Sequence, residues 1–222
     1  MEKANYRTEV LEEDNNIKND LFAKIEMVGD LEVGKTSILK KIKNDEFSDK
    51  YNPTLGYDFI PYFVKVNDKI LKFQIWDMCG NENYRSVLLN LYRNAAIGIL
   101  VYSVTSKESF DKLEEWIEQL KTYGSPNTKI ILLGNKCDDK NNRVVSFKEG
   151  QDLCKKHNLE FFMETSAKDG FKSPNFLEMA ATILYKDYEA HKDDPEQSSL
   201  CIRGESIILD RNSFRKQKKE RC

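Results

Sequence analysis

Residues Gly29–Thr36 read Gly-Asp-Leu-Glu-Val-Gly-Lys-Thr, the pattern G-x-x-x-x-G-K-[ST], and they follow the apolar run Leu21–Val28. A strand that feeds a tight turn and then a helix points backbone N–H groups at an anion, and the helix N-terminus adds positive potential. In such a phosphate loop, Lys35 is expected to reach the outer phosphates of a nucleotide and the Thr36 hydroxyl to bind Mg²⁺. The alternative is a plain glycine turn with an exposed lysine, which the flanking strand and helix disfavour.

The identity of the base is indicated where a second apolar run, Lys129–Leu133, ends in Gly-Asn-Lys-Cys-Asp at residues 134–138. The Asp138 carboxylate can accept hydrogen bonds from both the N1–H and the 2-amino group of guanine. Adenine lacks this pair of donors and would leave a buried charge unpaired, so the site would select guanine. Lys136 can lay its aliphatic stem over the ring, and Asn135 can connect this loop to the phosphate loop.

Three shorter segments complete the pattern. Glu-Thr-Ser-Ala-Lys at residues 164–168 would let the backbone N–H of Ala167 approach the guanine O6. Asp77 and Gly80 lie at the end of another apolar run. Asp77 suits a contact with Mg²⁺ through water. The backbone N–H of Gly80 suits a contact with a γ-phosphate. Thr54 could give Mg²⁺ a second hydroxyl once a γ-phosphate draws its loop inward. Each segment alone is an ordinary turn, but the ordered occurrence of all five motifs is not plausible by chance.

The order of these motifs resembles that of the Ras superfamily of small GTPases, and the stretches between them are most similar to its Rab branch. The resemblance covers about residues 20–190, and the Rab-like stretches are Leu55–Phe59, Lys72–Asp77, Asn83–Leu88, Leu91–Ala95 and Leu100–Thr105. It implies an α/β fold of the P-loop NTPase class, bound GTP or GDP with Mg²⁺, and a switch that recruits effectors in vesicle-mediated transport. The implied partners are Rab-type effectors, an exchange factor and an activating protein.

The resemblance also assigns individual residues. Phe47 is expected to pack edge-on against guanine, with a plain hydrophobic contact after the first helix as an equal alternative. Phe59, Trp76 and Tyr92 are expected at an effector surface built from residues 52–60 and 79–93, with core packing as the alternative. The expected catalytic residues are Asn81, Gly80 and Lys35, and the expected metal ligands are Thr36, Thr54 and, through water, Asp77. The full set of expected GTP-binding residues is Gly29, Leu31, Glu32, Val33, Gly34, Lys35, Thr36, Ser37, Phe47, Tyr51, Thr54, Asp77, Gly80, Asn135, Lys136, Asp138, Ser166, Ala167 and Lys168.

The hydrophobic pattern predicts alternating strands and helices. Strands are expected at 21–29, 57–66, 69–76, 97–104, 129–134 and 159–164, and helices at 35–44, 107–123, 147–157 and 173–190. Asn67-Asp68 predicts a hairpin turn, whereas the other connections predict a mainly parallel six-stranded sheet with helices on both faces. Ligands bind at the C-terminal ends of the strands in such sheets, and all five motifs fall there.

Two departures from the family pattern concern hydrolysis. Where the family carries a glutamine that orients the attacking water, this chain has Asn81, whose amide is shorter by one methylene, or about 1.5 Å. A positioning loss of that size costs on the order of a hundredfold in rate. Rab proteins usually carry small residues where this chain has Leu31, which would crowd the γ-phosphate, and Glu32, which would place a carboxylate beside the phosphates. Slow hydrolysis is therefore expected.

Two other functions remain open at this point. The same departures are compatible with a GTP-loaded binding scaffold whose turnover is negligible. A P-loop kinase or ATPase is disfavoured, because Asp138 and the loop at residues 164–168 indicate guanine rather than adenine.

Composition bounds the remaining possibilities. The 222-residue chain has 32% charged residues and a net charge of −2, which gives no indication of nucleic-acid binding. Five scattered cysteines fit neither a disulfide framework nor a metal site, and no apolar run is long enough to span a bilayer. A monomeric GTP-binding domain is expected at 21–190, between a disordered N-terminal extension at 1–20 and a variable C-terminal tail at 191–222.

The tail ends in a basic stretch followed by Cys222. A cysteine after polybasic residues resembles a Rab-type prenylation site, although Rab proteins usually end in paired cysteines. One lipid together with a basic patch can hold a protein on an anionic membrane. The expected location is the cytoplasmic face of an intracellular membrane, in exchange with the cytosol. The alternative is a solvated charge run with an incidental thiol.

Overall fold

Strands and helices alternate along the chain as the sequence predicts, with one further strand near each end. The structure is a computed structural model, and it describes residues 6–11, 17–49, 52–54, 56–80, 89–171, 175–192 and 201–202. The strands within these ranges are β1 (Thr8–Leu11), β2 (Leu21–Val28), β3 (Tyr57–Val66), β4 (Lys69–Met78), β5 (Ile97–Ser103), β6 (Lys129–Asn135), β7 (Phe161–Glu164) and β8 (Cys201–Ile202). The helices are α1 (Lys35–Asn44), α2 (Lys107–Asp111), α3 (Leu113–Tyr123), α4 (Phe147–Lys156) and α5 (Asn175–Ala190), and a 3₁₀ turn spans Leu89–Tyr92.

The described strands form one sheet in the order β1-β3-β4-β2-β5-β6-β7, and β8 pairs with β2. The neighbours β4, β2, β5, β6 and β7 run parallel, whereas β3 pairs antiparallel with β4 through the predicted Asn67-Asp68 hairpin. The α/β class and the mainly parallel sheet are therefore confirmed. The expected number of six strands is wrong, because β1 and β8 extend the sheet to eight strands within the described residues.

Strand β1 lies inside the extension 1–20, for which disorder was expected. It pairs antiparallel with β3, from Thr8 opposite Val66 to Leu11 opposite Phe63. Without β1, this part of β3 would be a sheet edge with unpaired backbone groups, and a short segment can satisfy those groups whatever its own side-chain pattern. The expectation of disorder is thus wrong for the four residues of β1.

Helices cover both faces of the sheet, as predicted. Helices α1 and α5 pack on one face through side chains such as Ile38, Leu39 and Leu184. On the other face, α3 contributes Trp116 and Leu120 to a second buried cluster. The helix expected at 107–123 is divided at Lys112 into α2 and α3. No helix in the described part of the chain combines the length and apolar character needed to cross a membrane.

Candidate functional site

A cavity of about 630 Å³ opens at the C-terminal ends of the parallel strands, where the motifs were expected to meet. The phosphate loop follows β2, and the segment ending in Gly80 follows β4. The two segments expected to recognise the base, 134–138 and 164–168, lie at the ends of β6 and β7 and are called the base-recognition loops below. The predicted lining residues of the cavity are Leu31, Glu32, Gly34, Lys35, Thr36, Ser37, Phe47, Thr54, Gly80, Asn135, Lys136, Asp138, Ala167 and Lys168. Five separate segments of the chain, including residues 46–54 between α1 and β3, are thus brought to one cavity.

Some predicted site residues do not line this cavity. Gly29, Val33, Asp77 and Ser166 are buried and are not among its lining residues. The first three accept hydrogen bonds from the lining residues Lys35, Asn135 and Thr36, respectively. Tyr51 and Asn81 fall outside the described residues. Sequence reasoning also missed seven lining residues, which are Lys40, Glu46, Ser48, Asp49, Asn52, Met78 and Asp139. Lys40 lies one helical turn after Thr36, and this spacing was the signal that could have identified it.

The backbone of the phosphate loop takes conformations that side chains disfavour. Gly34, which precedes α1, has φ +94°, and a Cβ there would collide with the amide of Asn135. Glu32 adopts a left-handed conformation with φ +61°, which costs a non-glycine residue roughly 1–2 kcal/mol. The loop therefore holds its shape at an energetic cost, with Glu32 as the strained position.

Lys35 lies over the phosphate loop rather than in solvent. Its ammonium donates hydrogen bonds of 2.8 Å to the carbonyls of both Gly29 and Asp30. The side chain is buried, and burial lowers the pKa of Lys35 to about 8, with Asp77 and Asp30 opposing that shift. An anion in the cavity would stabilise the charged form of this lysine, because an opposite charge nearby favours ionisation.

Three oxygen-bearing side chains converge beside the start of α1. The Thr36 hydroxyl donates to the Asp77 Oδ2 at 2.5 Å, and its Oγ1 lies 2.8 Å from the Thr54 Oγ1. The Asp77 Oδ1 is buried and has no hydrogen-bond partner among the described residues. Burial is the main cause that raises the pKa of Asp77. Hard oxygen ligands with an unpaired carboxylate oxygen fit Mg²⁺, which takes few protein ligands when phosphates supply the others.

Gly80 packs directly against the phosphate loop. A Cβ at this position would lie 2.5 Å from the carbonyl of Asp30 and 2.6 Å from the backbone nitrogen of Leu31. The preceding residue is fixed too, since the Cys79 N–H donates to the Gly56 carbonyl at 2.9 Å. The end of β4 is thereby held between the phosphate loop and the start of β3, and no larger residue fits at Gly80.

Asn135 connects the base-recognition loops to the phosphate loop. Its Nδ2 donates to the Val33 carbonyl at 2.8 Å, and its Oδ1 accepts from the Ala167 N–H at 3.2 Å. The connection that the sequence predicted for Asn135 is therefore present. A further bond joins the two base loops, from the Cys137 N–H to the Thr165 carbonyl at 3.2 Å.

The base end of the cavity is held by a bidentate ion pair. Arg143 donates to both carboxylate oxygens of Glu164 at 2.6 and 2.9 Å, which fixes the loop that begins after β7. Phe47 lines the same cavity as Asp138 and is 38% exposed, so an aromatic side chain is accessible from the cavity. These positions fit recognition of a planar base between an aromatic side chain and polar loops.

The three aromatic residues expected at an effector surface differ widely in exposure. Phe59 is 43% exposed, Trp76 is 7% exposed and Tyr92 is 1% exposed. Trp76 and Tyr92 both belong to the buried cluster on the α3 face, so core packing, the stated alternative, describes both of them. An exposed surface position is therefore wrong for Trp76 and Tyr92, whereas Phe59 is exposed as expected. Tyr57, which sequence reasoning did not single out, is 44% exposed and its ring lies 5.2 Å from that of Trp76.

Comparisons with known proteins agree with this geometry. The family model described as "Ras family" matches residues 24–186. The chain is 36% identical to the Ras-related protein RABA4d of Arabidopsis thaliana over 201 residues, covering 88% of this chain and 90% of the relative. It is 40% identical to Ras-related protein Rab-3C of Bos taurus over 177 residues (79% and 78% covered), and 37% identical to Ras-related protein Rab-3 of Caenorhabditis elegans over 204 residues (91% and 90%). The chain belongs to the Ras family of small GTPases and, within it, is a Rab-like GTPase.

Proposed function

We propose that this chain is a Rab-type GTP/GDP switch that hydrolyses GTP slowly and recruits effectors in vesicle-mediated transport. The observation that carries the proposal is the pair of hydrogen bonds in which Asn135 donates to the Val33 carbonyl and accepts from the Ala167 N–H. This pair joins the segments expected to bind guanine to the phosphate loop. The Rab names of the relatives support the role in transport.

Within this proposal, Lys35 and the N–H groups of the phosphate loop bind the β- and γ-phosphates. Thr36, Thr54 and, through water, Asp77 would hold Mg²⁺. Bound Mg²⁺ would neutralise charge on the phosphates during transfer to water. The Asp77 carboxylate lies 2.5 Å from the Thr36 hydroxyl, so Asp77 also orients that hydroxyl.

The switch depends on the residues that meet the γ-phosphate. Thr54 and Gly80 flank the cavity from the segments before β3 and after β4. With triphosphate bound, Thr54 would contact the metal and the Gly80 N–H would contact the γ-phosphate. Hydrolysis removes these contacts and lets both segments relax. Partners that prefer the ordered state would then read the identity of the nucleotide.

Slow hydrolysis follows from three residues. Asn81 stands where the family carries the glutamine that orients water, and it lies outside the described residues. Leu31 is 45% exposed and lines the cavity. There it would occupy space that an attacking water or a partner's arginine needs. Glu32 lines the same cavity with a carboxylate. We expect intrinsic turnover on the order of a hundredfold below that of a glutamine-bearing relative.

The base specificity is tested by replacing the Asp138 carboxylate with an amide. Asp138→Asn loses an acceptor for the 2-amino group of guanine and gains a donor, so GDP affinity should fall by roughly tenfold or more. Xanthine has a carbonyl where guanine has that amino group, so XDP affinity should rise. Asp152→Asn, on the exposed side of α4, is the matched control and should leave both unchanged. Equal affinity of the unaltered chain for ATP and GTP would refute the proposed specificity.

The second candidate function is a GTP-loaded scaffold with negligible turnover, favoured by the exposed Leu31 and the carboxylate of Glu32 at the cavity. The nucleotide retained after native purification separates the two candidates. GTP would indicate a blocked cycle, whereas GDP would indicate a working switch. Single-turnover hydrolysis with Rab-type activating proteins gives the second measurement, and an absence of acceleration would favour the scaffold.

Membrane attachment, partners and oligomeric state complete the proposal. A lipid on Cys222, which lies outside the described residues, would act with the basic tail to hold a monomer on the cytoplasmic face of an intracellular membrane. Effectors, an exchange factor and an activating protein of Rab type would act on it there. Intact mass from a eukaryotic source tests the lipid, and an unmodified Cys222 would count against this form of anchoring.

A further inference from the structure

A buried ion pair lies in the central strand, outside the nucleotide cavity. Lys24 and Glu26 stand two residues apart on β2, and the Lys24 Nζ lies 2.8 Å from the Glu26 Oε1. Glu26 is fully buried and Lys24 is 9% exposed. A buried charge is costly unless it is paired and hydrogen-bonded, and a buried pair is by itself weak evidence for stability. The surroundings of the pair therefore indicate what it does.

The Lys24 ammonium holds a backbone segment that the proposed function uses. It donates hydrogen bonds to the carbonyl of Leu91 and, at 3.3 Å, to the carbonyl of Arg93. These carbonyls belong to the 3₁₀ turn Leu89–Tyr92 and the residue that follows it. They end the segment 79–93, which is the second of the two segments expected to face partners. Lys24 thus fixes the end of that segment to the central strand.

The same ammonium faces a buried aromatic side chain that lies beneath two exposed ones. Its nitrogen lies 5.2 Å from the centre of the Trp76 ring, a cation–π distance. The ring of Trp76 in turn lies 5.2 Å from that of Tyr57 and 5.7 Å from that of Phe59. Tyr57 and Phe59 are each more than two-fifths exposed, whereas Trp76 is buried beneath them. A continuous set of contacts therefore runs from the ion pair to the surface.

Glu26 and Trp76 are the members of this set with unused hydrogen-bonding capacity among the described residues. The sheet register places it between Trp76 on β4 and Gly98 on β5. Its Oε2 and the Trp76 Nε1 have no hydrogen-bond partner among the described residues. Burial raises the pKa of Glu26 to about 7, and Lys24 opposes that shift. The residues beside Glu26 on the neighbouring strands are therefore Trp76 and Gly98, and neither is charged. Among the described residues, the charged group that acts on Glu26 is Lys24.

We propose that Glu26 is a positioning residue for partner recognition: it holds the Lys24 ammonium between the 3₁₀ turn and Trp76, and so fixes the aromatic surface of Tyr57 and Phe59 against that turn. The role rests on the proposed function, because that function makes these segments the partner-facing ones. Without the carboxylate, the ammonium keeps its two carbonyl acceptors but loses the anion that orients it beneath Trp76. The nucleotide cavity, which neither Lys24 nor Glu26 lines, would be left unchanged.

The test uses Trp76 as its own reporter. The chain has two tryptophans, so Trp116→Phe leaves Trp76 as the one emitter in the reference protein. Trp76 emission and its quenching by acrylamide are measured with GDP and with a non-hydrolysable GTP analogue, from about pH 5.5 to about pH 8.5. This range includes the pH at which a glutamate with a pKa near neutrality loses its proton. In the reference protein, both quantities should follow one proton titration. With Glu26→Gln, they should stay at the low-pH values, because glutamine resembles the protonated acid.

Two further variants make the result decisive. Glu160→Gln removes a carboxylate that pairs with Lys129 at 3.7 Å beside β7. In this control, Trp76 emission and quenching should change with pH as they do in the reference protein. Lys24→Met combined with Glu26→Leu replaces the pair by apolar side chains, which often preserves folding, and it should also lose the pH dependence. The proposal is wrong if Trp76 reports the same titration in either Glu26 variant as in the reference protein.

Nucleotide affinity is measured in the same samples, so that a failure of the proposed function can be distinguished from a failure of the positioning role of Glu26. Failure of the reference protein to bind GDP would refute the proposed function. The titration of Trp76 would then be read on nucleotide-free protein, where it still decides the role of Glu26. A tenfold or larger loss of GDP affinity in Glu26→Gln would also contradict the positioning role, because it would place the effect of Glu26 at the nucleotide site.

Discussion

The Asn135 side chain donates a 2.8 Å hydrogen bond to the Val33 carbonyl, and this bond joins the base-recognition side of the cavity to the phosphate loop. Asn135 is 1% exposed, so water does not replace the bond when it is lost. Asn135→Ala should leave the Val33 carbonyl and the Ala167 N–H without this partner, at a cost of about 1–3 kcal/mol. We expect lower stability and roughly tenfold or greater loss of GDP affinity, measured by urea unfolding and by fluorescent-nucleotide titration. Asn19→Ala, which removes a 3.1 Å hydrogen bond to the Leu21 carbonyl at the start of β2, is the control, because neither residue lines the cavity. A similar loss of GDP affinity in both variants would contradict the connection.

Gly80 lies so close to the phosphate loop that an added methyl group has no room. Gly80→Ala should shift either the end of β4 or the loop at Asp30–Leu31, and overpacking of this kind costs about 1–3 kcal/mol. We expect a lower unfolding temperature in the absence of nucleotide, and a smaller difference between the GTP-analogue and GDP forms in limited proteolysis. Gly56→Ala is a useful comparison, because a Cβ there meets nothing within 4 Å although its φ of +80° strains the backbone. A Gly80→Ala protein with unchanged stability would show that the close approach is not maintained.

Glu32 combines a strained backbone with a carboxylate at the cavity. Glu32→Gly removes both features, whereas Glu32→Gln removes only the charge. Relief of the left-handed conformation should make the glycine variant more stable than the glutamine variant by about 1 kcal/mol. If the carboxylate repels phosphate, both variants should bind GDP more tightly than the unaltered chain and release it more slowly. Equal nucleotide release in all three proteins would show that the Glu32 side chain stays away from the phosphates.

The sequence predicted well which residues converge on the cavity, because the conformation and close packing of the main chain require particular residue types there. Gly34 is required by its positive φ and by the Asn135 amide beside it, and Gly80 is required by the close approach of the phosphate-loop backbone. A glycine in the sequence indicates such requirements directly. The bounds of α1 and β3 agree with the prediction for a similar reason: an apolar periodicity and a flanking turn mark each end. Those signals are local, so a single sequence carries them.

Features that depend on distant partners were not predicted. Strand β1 forms because β3 offers it an edge, and nothing within Thr8–Leu11 indicates that edge. Glu26 lay in a run interpreted as an apolar strand, yet it is fully buried beside Lys24. The resemblance placed Tyr92 at a surface, whereas its ring packs in the core. In each case, the environment that decides the role comes from residues far away in sequence.

The pKa of Glu26 gives stability a defined pH dependence. Burial raises this pKa from 4.5 to about 7, so between these values the folded protein binds more protons at Glu26 than the unfolded chain does. Stability from this residue is therefore present at low pH and lost as the pH rises through about 7. The free energy of unfolding of the chain, minus that of Glu26→Gln, should fall by on the order of 1–3 kcal/mol from about pH 5 to about pH 8. Urea unfolding at several pH values checks this, and a constant difference would contradict the raised pKa.

Tyr6 ties the N-terminal strand to the last helix of the domain. Its ring lies 5.4 Å from that of Tyr185, and its hydroxyl donates to Glu189 at 2.9 Å. An aromatic pair contributes about 0.5–1.5 kcal/mol beyond area burial. Tyr6→Ala should therefore lower the free energy of unfolding by about 1 kcal/mol. It should also increase hydrogen exchange in β1 and in the β3 residues 63–66 that pair with it.

A matched control separates this tie from the general loss of an aromatic side chain. Tyr123→Ala removes a ring that is 44% exposed at the end of α3, on the other face of the sheet. It should leave hydrogen exchange in β1 unchanged. If Tyr6→Ala leaves exchange in β1 and at 63–66 as slow as before, the backbone pairing with β3 holds the strand without Tyr6. If exchange rises only in β1 and not at 63–66, β3 has remained protected at its edge by another segment, and the role assigned to β1 as the cover of that edge is wrong.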